Sequence, residues 1–149
     1  MRSRVVSILP SLALADSSSL TVTAGSGVDR PVRNGLRDAM AAARNADVVL
    51  LASGEGEAMS GEARSRTDIS LPAAQQALAE AVASTGKPVI VLLRNGRAMA
   101  LTGAVREARA IAVTWFLGSE TGHAVADVLF GYAAPSGRLP VSFPQASGQ

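Results

Sequence analysis

The residues best suited to chemistry crowd between Ser53 and Ser70. Glu55, Glu57 and Glu62 come first, then Arg64, Arg66 and Asp68. A carboxyl on a loop of this length can act as a general acid or base if partial burial raises its pKa. Neighbouring arginines can hold other carboxylates, or bind a ligand hydroxyl, carboxylate or phosphate. The same set is also compatible with a solvated loop whose ion pairs each contribute little. His123 is the only histidine. It suits a general base, a ligand contact or a structural cap. A metal site would need His123 with at least two of the loop carboxylates, and no HExxH-like spacing exists, so no metal and no cofactor is expected. There is no cysteine nucleophile and no G-x-S-x-G elbow. Gly54-Glu55-Gly56 lacks the third glycine of a dinucleotide fingerprint.

The segments that must position these residues alternate in type. Val48 to Ala52 and Pro88 to Leu93 are continuous apolar runs, as expected for strands buried on both faces. Ala110 to Trp115 is a third such run. Leu20 to Ala24 and Leu139 to Phe143 read as further short strands. Helices are expected from about Arg33 to Ala46, from Pro72 to Ser84, near Gly103 to Ala108, and from His123 to Phe130. Strands alternating with helices argue for βαβ units and a mainly parallel sheet. Ligand sites in such sheets lie at the carboxyl ends of the strands. Three loops would share that edge: 53–70, 94–97 and 116–123. They bring Arg97, Glu120 and His123 towards the acidic loop. Trp115 lies at a strand end beside them, as a sugar platform or as core packing.

Composition and length exclude other classes. Hydrophobic residues are 48% and charged residues 17% of the chain, which suits a packed core and argues against disorder. The 149 residues fit a single domain and cannot hold a complete (β/α)₈ barrel of about 250 residues. The net charge is only +2, and the arginines are scattered without interleaved aromatics, so no nucleic-acid partner is expected. No apolar segment reaches membrane-spanning length. Residues 5–14 could be a secretory signal, but Pro10 interrupts a short apolar run, so a buried helix and a cytoplasmic location are favoured.

Several ordered segments together resemble one family. Residues 46–55 (ADVVLLASGE) and 60–69 (SGEARSRTDI) are similar to the second domain of glycoside hydrolase family 3, which includes bacterial β-glucosidases and β-xylosidases. Residues 85–92 (TGKPVIVL), Asn95-Gly96-Arg97, residues 126–131 (ADVLFG) and 135–144 (PSGRLPVSFP) continue the match. The resemblance covers about residues 20–149, leaving 1–19 as an N-terminal helix or replaced sequence. It implies a three-layer α/β/α sandwich with a mainly parallel sheet, its first strand missing. It also implies that Glu62 is the general acid/base, with Glu57 the fallback. Glu55, Arg64, Arg66, Asp68, Arg97, Glu120 and His123 become expected substrate-binding residues, with Asp68, Arg66 and the 116–123 loop as neighbours or loop anchors. The family's nucleophilic aspartate belongs to a preceding barrel domain, and this sequence has no such domain.

The expected function is the acid/base half of a β-glycosidase, acting on a β-linked sugar with a separate barrel domain. A small hydrolase of activated esters or phosphates is one alternative. A non-catalytic carbohydrate-binding or assembly module is another, and a sandwich lacking its first strand would favour a homodimer.

Overall fold

The computed structural model describes residues 20–149. The element order is α1 (Gly35–Arg44), β1 (Val49–Gly54), α2 (Ala73–Ala83), β2 (Val89–Arg94), α3 (Gly103–Arg106), β3 (Ala110–Val113) and α4 (Thr121–Leu129). Short 3-10 turns cover Glu57–Met59 and Gly118–Glu120. The strands form a three-stranded sheet in the order β1-β2-β3. Both pairings are parallel, with Leu51 beside Val91 and Val91 beside Ile111. Parallel strands need crossovers, and α2 and α3 supply them.

Strand alternation sorts the side chains into two layers. Val49, Leu51, Val91 and Leu93 pack with Leu78 and Val82 of α2, Val105 of α3 and Ala39 of α1. On the opposite face Leu50, Ala52 and Leu92 pack with Val125 of α4. Helices therefore cover both faces, giving the expected α/β/α sandwich. The first layer is much the larger, and a single helix covers the second.

Two expected strands are absent from the described residues. Leu20 to Ala24 has no strand partner; only an isolated bridge joins Ser26 to Pro31 nearby. Leu139 to Phe143 is irregular, and Leu139 and Val141 are exposed. Its Phe143 packs against the main core and meets the Trp115 ring edge-on at 6.1 Å between centroids. Trp115 thus has a packing partner. The helix or signal expected within residues 1–19 lies outside the described residues.

At Gly54, the last residue of β1, a side chain takes the backbone hydrogen bonds. Gln75 Oε1 accepts from the Gly54 N–H at 2.7 Å, and its Nε2 donates to the Gly54 carbonyl at 2.7 Å and the Val28 carbonyl at 2.6 Å. The amide does there what a neighbouring strand's backbone would do. No helix among the described residues is long and apolar enough to cross a membrane.

Candidate active-site loop

Because the strands are parallel, β1, β2 and β3 all end on one edge, and their loops start together there. The loop after β1 leaves through Glu55. This carboxylate is buried, with side-chain exposure of 0%. Arg66 Nη1 donates to Glu55 Oε1 at 2.8 Å. Arg97 Nε lies 3.1 Å from the same oxygen, an ionic contact without hydrogen-bond alignment. The Gly96 N–H donates to Glu55 Oε2 at 3.3 Å. A buried carboxylate needs such compensation. Glu55 is thereby engaged by protein groups on both carboxylate oxygens and anchors the start of the loop.

The arginines that neutralise Glu55 also shape the loop. Arg66 Nη2 donates to the Ser70 carbonyl at 3.1 Å, fixing the loop's exit. Arg97 Nη2 donates to the Met59 carbonyl at 2.7 Å and the Arg64 carbonyl at 2.8 Å. Those carbonyls stand on either side of Glu62. Arg97 is itself set by Asn95, whose Nδ2 donates to the Arg97 carbonyl at 2.7 Å.

Between these shoulders the chain makes a tight turn, closed by the Arg64 N–H to the Gly61 carbonyl at 3.2 Å. Gly61 has φ 125° and Ala63 φ 56°. The left-handed conformation is uncommon for a residue with a Cβ, so the surroundings must hold Ala63 there. Glu62 occupies the turn and is exposed. Glu57 is also exposed, at the start of the 3-10 turn. The Arg64 side chain is exposed too, and only its carbonyl joins the clamp.

Asp68 pins the descending arm. Its Oδ1 accepts from the Ser70 N–H at 2.8 Å and from Ser147 Oγ at 3.2 Å. Ser147 Oγ in turn accepts from the Ile69 N–H at 3.1 Å. The Ser70 hydroxyl, then the Ser70 N–H, hold the Asp68 carboxyl below its ordinary value; burial opposes them weakly, and Ser147 and Arg66 assist.

The other two loops meet this one at Gly96. A Cβ on Gly96 would collide with the Ser60 side chain and would lie 2.7 Å from Phe116 Cε2. Glycine lets the three loops touch. Glu120 and His123 stand exposed around the start of α4, and among the described residues no hydrogen bond or ion pair links either to the 53–70 loop. The expected convergence therefore holds for Arg66, Asp68 and Arg97, while Glu120 and His123 stand apart. No group of three His, Asp or Glu side chains among the described residues could hold a metal ion.

Comparison with known proteins decides the family. The model of the glycosyl hydrolase family 3 C-terminal domain matches residues 4–149. The chain belongs to this family. A periplasmic β-glucosidase of Salmonella typhimurium is 50% identical to the family 3 domain over 112 residues, covering 75% of this chain and 15% of the relative. A β-xylosidase of Formosa agariphila is 37% identical over 146 residues, covering 97% of this chain and 20% of the relative. Among solved structures, the β-glucosidase of Listeria innocua in complex with isofagomine superposes with a TM-score of 0.85 at 32% identity, over 99% of this chain and 24% of that one. The family 3 domain thus spans a quarter or less of these three proteins.

Two residues of the loop's support have no obvious sequence signal. Gln75 and Ser147 act on partners far away in the chain. The isolated apolar-face glutamine of α2 was the one visible hint, since Gln75 occupies a helix face otherwise made of Leu78, Ala79 and Val82.

Proposed function

We propose that this family 3 domain supplies the general acid/base of a retaining β-glycosidase, and that Glu62 is that residue. The observation that carries the reading is the contrast between two glutamates. Glu55 is buried and compensated, while Glu62 is presented at an exposed turn whose two shoulders Arg97 holds. A group that must give a proton to a leaving oxygen and then take one from water needs access and a fixed position. Retaining hydrolysis also needs a nucleophilic carboxylate about 5–5.5 Å from the acid/base. The family resemblance assigns that nucleophile to a barrel domain, which makes the barrel this domain's functional partner. The β-glucosidase and β-xylosidase relatives support β-linked glucosides or xylosides as the substrate class.

A chimera tests the reading. This chain replaces the matching segment of the Salmonella β-glucosidase, and turnover of an unactivated aryl β-glucoside is measured. Glu62→Gln should lower kcat by about 10²–10⁴-fold, the usual share of general acid–base catalysis. Glu57→Gln should stay within a few-fold of the parent. A reversed ranking would move the role to Glu57, and two silent substitutions would reject the loop.

Assembly has its own support. Phe130, Tyr132, Leu139 and Val141 are exposed apolar side chains in the C-terminal part of the domain, and such surface favours a covering domain or a second copy. A monomer by light scattering at high concentration would exclude the second copy.

A further inference from the structure

Arg94 stands at the sheet edge with a charged side chain that makes no hydrogen bond or ion pair with the 53–70 loop. It ends β2, on the same face as Leu92, beneath α4. Its Nε is buried and has no hydrogen-bond partner among the described residues. Among the described residues no carboxylate forms a salt bridge with it, whereas Arg66 and Arg97 both meet Glu55. Its guanidinium carbon instead lies 5.4 Å from the centroid of the Phe116 ring.

Two buried serine hydroxyls beside it share this condition. Ser26 is 4% exposed and Ser53 7% exposed, and among the described residues neither Oγ has a hydrogen-bond partner. Arg94, Ser26 and Ser53 all line one cavity of about 320 Å³, with Phe116 and Thr121 on its wall. That volume lies in the range of small-molecule sites. Its place, at the carboxyl ends of parallel strands, is where open α/β sheets take ligands.

Unpaired buried polar groups are rare and call for a partner. The guanidinium can only donate, while the hydroxyls can donate or accept. A ligand that satisfies all three must bring an acceptor, and the uncompensated positive charge selects an anionic one. Of the carboxylates on the cavity wall, Glu55 is already neutralised and Glu57 is exposed.

We propose that this cavity is a binding site for a small oxyanion, a carboxylate or phosphate group, with Arg94 as its charged ligand and Ser26 and Ser53 as its hydroxyl contacts. The site stands whether or not Glu62 is the acid/base, because none of its three ligands belongs to the clamp.

The test is an NMR titration of the full chain at constant ionic strength, following the Arg94 Nε–H and the Ser53 and Thr121 amides. The probes are inorganic phosphate, glucuronate and, as the neutral control, glucose. Saturable shifts with phosphate, glucuronate or both, at least tenfold weaker or absent with glucose, are expected. Phosphate alone would point to a phosphorylated ligand, and glucuronate alone to a sugar acid. Arg94→Met should weaken anion binding at least tenfold, and Glu57→Gln should tighten it. No saturable shift with either anion in the parent chain would overturn the site, whatever the variants do. So would equal binding by a folded Arg94→Met chain.

Discussion

Arg97 Nη2 donates to the carbonyl of Met59 at 2.7 Å, although the two residues are 38 positions apart. The same nitrogen holds Arg64, so one side chain from the loop after β2 fixes both shoulders of the loop after β1. The fold makes this contact available because the parallel register brings both loops to one edge.

Arg97→Lys is the first prediction. Lysine keeps the charge near Glu55 but lacks the planar fork that serves two carbonyls and a carboxylate together. Hydrogen exchange at residues 60–64 should accelerate strongly. Global stability should fall by about 1–3 kcal/mol, the range for losing hydrogen bonds from a charged donor. Exchange unchanged at those amides would remove the clamp from the account.

Glu55→Gln should cost more. It removes the charge that compensates Arg66 and Arg97 and leaves two guanidinium groups facing an amide. Breaking a buried pair in this way costs about 3–5 kcal/mol. Urea unfolding should show a lower midpoint with an unchanged slope. A loss under 1 kcal/mol would mean that Glu55 is not the anchor described.

Gly96→Ala probes the meeting point of the loops. The added Cβ overlaps Ser60 and lies 2.7 Å from Phe116 Cε2. Overpacking of this kind costs about 1–3 kcal/mol. The Phe116 ring resonances should shift as well, and a silent substitution would show that the loops are not in contact.

Acid should loosen the descending arm before the sheet. The Asp68 carboxyl has its folded value depressed by Ser70. Its contribution is therefore complete above the ordinary carboxylate value and is lost as pH falls through the lower folded value. Below the ordinary carboxylate range, under about pH 4, the Ser70 and Ile69 amides should lose exchange protection. Asp68→Asn should abolish that dependence, and an unaltered profile in the variant would assign it elsewhere.

The sequence made some of this legible and hid the rest for physical reasons. Val48–Ala52 and Pro88–Leu93 are unbroken apolar runs, and burial on both faces leaves that signature. Leu139–Phe143 misleads because alternation alone cannot say whether a partner strand is present. Here only Phe143 finds a packing contact, on Trp115. The carboxylates of the loop were visible as a group, but which of them is buried was not. Glu55 and Glu62 differ in burial, and burial depends on Arg66 and Arg97 arriving from different parts of the chain. Ser147 lies 79 residues from Asp68, and no local pattern marks such a contact. Glu120 and His123 were grouped with the site because their loop shares its edge, yet a shared edge does not guarantee contact.

The central claim is that Glu62 donates the proton to the leaving group, and leaving-group dependence tests it most directly. The chimera carrying this domain, and its Glu62→Gln variant, are compared on aryl β-glucosides whose phenols span a wide range of acidity. A good leaving phenolate needs no proton, so the variant should cleave the sugar–phenol bond of the most acidic phenol nearly as fast as the parent, read in the pre-steady-state burst. With the least acidic phenols it should fall about 10²–10⁴-fold behind. An equal loss across the whole series would contradict the account.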